Sequence, residues 1–240
     1  MIIYDGQSRL GGGRILGIVT GVDKDSANTK TGPMAQLYIL GAKEPPTTAL
    51  HTGSDKTICG DCKHRPVVSG GLGSCYVVVA QGPAGIYRAW KKNRYKKFHP
   101  GIVNAAIRLA GKNIRLGAYG DPAALPLDTL HYLTDGLRFT GYTHQWKTCD
   151  PEYKRFCMAS VDTPQEYVKA KSMGWRTFRV RLENEILAKG EIMCPASEEM
   201  GHRTTCDRCV LCMGTTIKAK DIAIVVHGQH TRKFIELRSV

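Results

Sequence analysis

Residues 156–182 read FCMASVDTPQEYVKAKSMGWRTFRVRL, and this stretch decides the fold class. The apolar run at 156–161 predicts a strand. Thr163 is a natural N-cap and Gly174 a natural stop, so a helix is expected between them. Residues 175–182 return to a strand pattern. Strand, helix and strand in so short a span imply two parallel strands joined by a crossover helix. The alternation extends outward in both directions. Strands are expected at 113–118, 137–142, 191–194 and 222–226, with a helix inside 120–136. On the N-terminal side a strand is expected at 75–80, followed by helices at 84–97 and 100–110. Six or seven such units predict an α/β fold, a partial or full βα barrel. No G-x-G-x-x-G follows the first of these strands, which argues against a Rossmann domain.

Residues 1–73 differ in pattern. Two β-type runs, 15–22 and 34–40, flank the polar loop 23–32 and predict a hairpin leading to a cysteine-rich segment. The expected division is a hairpin and metal-binding extension at 1–73 and a barrel-like unit at 74–240.

The nine cysteines form two groups and a remaining pair. Cys194, Cys206, Cys209 and Cys212 lie in CPASEEMGHRTTCDRCVLC, spaced C-x11-C-x2-C-x2-C. Cysteines so close compete for the same disulfide partner but can wrap one metal centre. A C-x2-C-x2-C run with a remote fourth cysteine is nearer to iron–sulfur ligation, here a 4Fe–4S cluster, than to the isolated C-x2-C pairs of zinc sites. Cys59, Cys62 and Cys75 form the other group. With His64 they would complete a tetrahedral zinc site; without it they would leave one iron of a second cluster open. Cys149 and Cys157 are further candidates for the missing ligand. Such a set, with no secretory signal, fits a reducing cytoplasm better than a disulfide scaffold.

Residues that follow the predicted strands gather at one end of such a fold. Asp121, His144, Gln145, Asp162, Arg181 and His227 are therefore expected to converge on one polar mouth. Asp121, His144, Asp162, Arg181 and His227 are the candidate catalytic side chains. Cys194 falls on this rim and should bring Cys206, Cys209 and Cys212 with it. The first cysteine group precedes the strand expected at 75–80, which places it at the opposite end as a structural staple.

The 240 residues carry a net charge of +13, and no apolar run approaches the ~20 residues of a membrane span. A basic chain of this kind attracts polyanions, nucleic acid first among them. Residues 88–97 interleave Lys91, Lys92, Arg94, Lys96 and Lys97 with Trp90 and Tyr95, a pattern suited to phosphate contact and base stacking.

The segments ICGDCKHRP, SCYVVVAQGPAGIYRAW, RLGAYGDPAALP, FTGYTHQW, MASVDTPQEYVKAKSMGWRTFRVR, CPAS and CDRCVLCMGT together resemble an uncharacterised protein family of tailed bacteriophages and prophages. The resemblance implies a phage-encoded protein acting in the bacterial host cytoplasm. The barrel pattern and surplus cysteines also resemble radical S-adenosylmethionine enzymes. The C-x3-C-x2-C spacing of that family is absent, and Gly120-Asp121-Pro122 stands where it has a Gly-Gly-Glu-type run, so no S-adenosylmethionine-binding residue is carried over. The expected function is an iron–sulfur enzyme of radical or redox type acting on a nucleotide or nucleic acid. The alternative is a non-catalytic nucleic-acid-binding protein with structural zinc.

Overall fold

The computed structural model describes residues 1–25 and 28–239. The N-terminal hairpin forms where expected. β2 (Arg14–Thr20) and β3 (Ala35–Gly41) pair antiparallel, with Ile18 opposite Tyr38. Ser26 and Ala27 of the predicted connecting loop lie outside the described residues. A further strand, β1 (Ile2–Gln7), pairs antiparallel with β2 on its other side.

β3 then becomes the first of the parallel strands. It pairs with β4 (Ile114–Tyr119), and β4 pairs with β5 (Phe139–Thr140). A second sheet contains β6 (Tyr142–Thr143), β7 (Met158–Val161), β8 (Thr177–Arg181), β10 (Asp221–Val225) and β9 (Glu191–Met193), in that order, every pair parallel. The molecule is thus a mixed α/β protein with two five-stranded sheets, the second all-parallel. Neither sheet closes on itself among the described residues.

Gly141 alone separates β5 from β6. Its N–H donates to Cys212 O and its carbonyl accepts from Met158 N–H. A Cβ at this position would lie 2.4 Å from the carbonyl oxygen of Phe156, so only glycine lets the neighbouring strand approach so closely.

The helices cover the sheets: α1 (Pro46–Thr52), α2 (Lys56–Cys59), α3 (Gly82–Lys91), α4 (Pro100–Leu109), α5 (Leu127–Thr134), α6 (Pro164–Ser172), α7 (Cys206–Cys209) and α8 (Thr231–Arg238). The β7–α6–β8 unit matches the sequence expectation closely. Thr163 Oγ1 accepts from Glu166 N–H at 3.0 Å, and Gly174 adopts φ +78° past the end of the helix. α3 is shorter than expected: Asn93 turns left-handed at φ +52°, and residues 92–97 leave the helix.

The strand expected at 75–80 does not form. Residues 74–76 belong to no helix or strand, and a turn at 79–81 leads into α3. The first parallel strand is β3 instead, which changes the place of everything counted from it. The pairing of β3 with β4 also joins the N-terminal strands to the later ones. Ile15, Leu37, Leu116, Leu130 and Val161 belong to one buried cluster.

Strand alternation divides the interior in two. On β7, Ala159 and Val161 face that main cluster, while Met158 joins a smaller one with Cys194, Cys212, Ile222 and Ile224. The inner face of the parallel strands is therefore lined partly by thiols.

Candidate functional site

Inward-facing residues of β5 to β8 and β10 (Thr140, Tyr142, Ser160, Phe178, Val180, Ile222 and Ile224) line a cavity of about 320 Å³. That volume falls within the range of small-molecule sites. Cys62 and Cys75 of the first group and Cys194, Cys206, Cys209 and Cys212 of the second line the same cavity. Both cysteine groups thus reach one space, with Cys59 outside its lining.

Their placement reverses the sequence expectation. The first group lies at the C-terminal ends of the parallel strands. Ile58 O accepts from Asp121 N–H, just past β4, at 2.7 Å. Gln145, just past β6, donates from Nε2 to Cys59 O at 2.9 Å and accepts from Asp61 N–H at 3.3 Å. Gly60 has φ +53°, and a Cβ there would meet Gln145 Oε1 at 2.3 Å, so this close approach requires glycine.

The run Cys206–Cys212 lies at the N-terminal ends. Cys206 N–H and Asp207 N–H donate to Lys30 O and Thr31 O, ahead of β3. Asn113, ahead of β4, donates to Asp207 O at 2.8 Å, and Arg176, ahead of β8, donates to Leu211 O at 2.8 Å. Cys194 sits between the two ends, its N–H on Ala223 O of β10. The reversal has two causes: no strand forms at 75–80, and the chain after Cys194 runs back to the N-terminal ends of the strands.

Several thiols accept main-chain amides. Cys62 takes the N–H of His64, Cys75 that of Val77 and Cys194 that of Ala196, in each case two residues on. Such bonds favour the thiolate. Burial acts the other way, pushing Cys62 up to about 12 and Cys75 to about 11. Burial also raises Cys206, against the pull of Arg115 and Lys30 toward the thiolate. As the side chains stand, no group of three or more His, Cys, Asp or Glu among the described residues is one that could hold a metal ion. The donor chemistry nonetheless suits a soft metal: buried sulfur, amide N–H groups directed at it, and the Tyr142 hydroxyl bonded to Cys212. Cys149 and Cys157 do not line the cavity.

His64, expected as a zinc ligand, has both ring nitrogens engaged. Nδ1 is 2.7 Å from Ser74 Oγ and Nε2 is 2.9 Å from Asp162 Oδ2. Its ring stacks on Phe234 of α8, with centroids 5.7 Å apart. As the side chains stand, both nitrogens therefore face protein partners.

The predicted polar ring is brought together in part. Asp162 is 1% exposed and lines the cavity beside His64 and His144. Lys63 Nζ also lies 2.9 Å from its Oδ2, while Oδ1 has no hydrogen-bond partner. Burial alone would raise this carboxyl; His64, Lys63 and His144 outweigh it and hold the group well below the usual carboxylate range. His227 reaches the cavity edge with Nδ1 2.9 Å from Val225 O.

Gln145, held on Cys59 O and Asp61 N–H, and two of the catalytic candidates serve the scaffold instead. Asp121 accepts from Ala123 N–H at 3.0 Å and His144 N–H at 2.8 Å and does not line the cavity; burial pushes its carboxyl up. Arg181 turns away and donates to Leu182 O, Glu183 O and Glu185 O. Side chains the sequence reading missed include Ser74, Tyr76, Arg115, Tyr142, Glu166 and Phe234. Arg115 and Tyr142 sat on predicted strands, and their alternation would have pointed to them once the inner face was known.

The basic residues Lys91, Lys92, Arg94, Lys96 and Lys97 are exposed, and none lines the cavity. Lys97 pairs with Asp5, and Lys91 lies 5.3 Å from the centre of the Trp90 ring. Comparison of the chain with protein-family models, curated proteins and solved structures gave no significant match.

Proposed function

We propose that this chain is a phage-encoded iron–sulfur enzyme of radical or redox type, acting on a nucleotide or nucleic acid in the host cytoplasm. One observation carries the reading: Cys62 and Cys75 of the first group and all four cysteines of the second line the same cavity on the inner face of parallel strands. The two sheets, interrupted only at Gly141, are read as one curved wall, a partial βα barrel.

Cys59, Cys62 and Cys75 would supply three thiolates and leave one cluster position open. The engagement of His64 with Ser74 and Asp162 supports that reading over zinc. Cys194, Cys206, Cys209 and Cys212 would supply a closed four-thiolate set. A bound iron–sulfur cluster supplies one-electron transfer. The chain's own residues shape the space beside it. Phe178, Val180, Ile222 and Ile224 make the wall apolar, Phe234 covers the end near His64, and Asp162 Oδ1 offers an unused acceptor to a substrate hydroxyl or amine.

Anaerobic purification tests the reading. A brown protein with iron and sulfide in cluster stoichiometry and absorbance near ~400 nm is expected. A colourless protein holding only stoichiometric zinc overturns it.

The exposed cations of 91–97, none of them in the cavity lining, favour a second reading as a nucleic-acid-binding protein with structural zinc. That reading expects DNA affinity that falls steeply with salt, is lost on charge reversal of Lys91, Lys92, Lys96 and Lys97, and is indifferent to His144.

A further inference from the structure

The segment carrying Cys206, Cys209 and Cys212 is surrounded by cations that have no carboxylate of their own. Arg176 is buried, and its guanidinium donates only to main-chain carbonyls: Leu211 and Gly214 from Nη1, Lys220 from Nη2 and Ala219 from Nε. Arg115 enters the cavity from β4 and gives one N–H to the Tyr76 hydroxyl at 2.9 Å. The Lys30 side chain lines the same cavity, and its carbonyl receives the N–H of Cys206. Among the described residues, none of these three has a carboxylate oxygen within 4.0 Å. Buried arginines elsewhere in the molecule do. Arg65 has Asp55 at 2.6 Å, and Arg179 has Glu191 at 2.7 Å. Asp207 lies on the cysteine segment, but its carboxylate accepts from Asn113 at 3.1 Å.

Arg176 is buried and Arg115 and Lys30 are half-buried; a cation partly or wholly withdrawn from water gains from a nearby counter-charge. Glu199 acts on Lys30 and Asp221 on Arg176 only from beyond ion-pair distance, and four neutral thiols would add no charge to balance the three cations. Four thiolates around a divalent ion or a cubane cluster form a net anion and would balance them. We propose that Lys30, Arg115 and Arg176 are the counter-charge of an anionic metal–thiolate centre at Cys194, Cys206, Cys209 and Cys212, and that Arg115 tunes the metal affinity of that centre. The proposal rests on the metal reading above and assigns it three positioning residues that no cysteine spacing reveals.

The test uses the full chain carrying Cys62→Ser and Cys75→Ser, so that metal binding reports the second group alone. Cobalt(II) is titrated into metal-free protein, its thiolate charge-transfer band is followed, and zinc is then added in competition. Arg115→Gln and Lys30→Gln should each weaken affinity by about 10- to 100-fold, the effect of removing a group that supports metal ligands from outside, and Arg115→Lys should restore most of it. Circular dichroism checks that each variant keeps its secondary structure. If Arg115→Gln misfolds, the Lys30→Gln and Arg115→Lys comparisons carry the test.

Affinity within twofold of the parent in both neutralised variants overturns the proposal. So does loss of inorganic phosphate binding in those variants with metal affinity unchanged, because the cations would then serve an anionic ligand. If Cys206→Ser with Cys209→Ser binds as much cobalt as the parent, the metal reading itself fails, a distinct outcome.

Discussion

At the scale of single residues, burial decides which side chains are free to react and which hold the frame. Arg65 is 5% exposed and donates to Gly53 O, Gly60 O and Asp55, so one guanidinium ties together the loop that carries Cys59 and Cys62. Asp55→Ala leaves that cation buried without its partner. A loss of about 3–5 kcal/mol is expected in urea unfolding, with faster alkylation of Cys62. Asp162 makes a prediction in pH. Its folded pKa is depressed, so its contribution to stability is fully present above its unfolded value near ~4 and is lost as pH falls below that toward the folded value. The stability difference between the parent and Asp162→Asn should therefore shrink as urea melts are taken below pH ~4. A difference that grows on acidification would show that the ion pairs with His64 and Lys63 do not hold this carboxylate ionised.

At the scale of elements, the C-terminal helix closes what the strands leave open. α8 places Phe234 on the His64 ring, the preceding His230 has Nδ1 3.0 Å from Gly73 O, and Arg238 pairs with Glu185 at 2.6 Å. Phe234 is 4% exposed, so Phe234→Ala is expected to cost about 3–5 kcal/mol and to open the cavity. Faster thiol labelling at Cys62 and Cys75, with labelling at Cys206 unchanged, would locate the opening at the C-terminal ends of the strands. The element level also shows where sequence patterning succeeds. β7, α6 and β8 were legible because a strand period, an N-cap and a terminating glycine agree. Residues 75–80 have the composition of a strand, yet no neighbouring strand is there to pair with them. The run is also only partly buried, with Val79 inside and Tyr76 59% exposed, so its apolar composition reports neither a core position nor a ladder.

At the scale of the whole molecule, the cavity takes wall residues from both ends of the strands, and both ends carry cysteines. If both groups hold metal, its removal acts on folding as well as chemistry, because binding free energy at structural thiolate sites is folding free energy. Chelation and reduction should lower the Tm of the parent, and the variant lacking Cys206 and Cys209 should respond less. An equal response in the two would remove the second group from any part in stability. The joining of the hairpin to the later strands through β3 and β4 predicts one cooperative unfolding transition for most of the chain.

The sequence by itself determined the α/β class, the hairpin, most of the parallel strands and the identity of the sulfur donors, because these depend on local periodicity and on residue chemistry. It also marked Asp162 and His144 as strand-end residues. Only the tertiary structure decided which strand comes first, and with it which cysteine group lies at which end. It alone showed that Asp121 and Arg181 are spent on main-chain groups, that both His64 nitrogens face protein partners, and that three cations with no carboxylate within 4.0 Å among the described residues stand near the late cysteines. Those facts depend on strand pairing and on contacts between residues far apart in the chain, which local patterns do not encode.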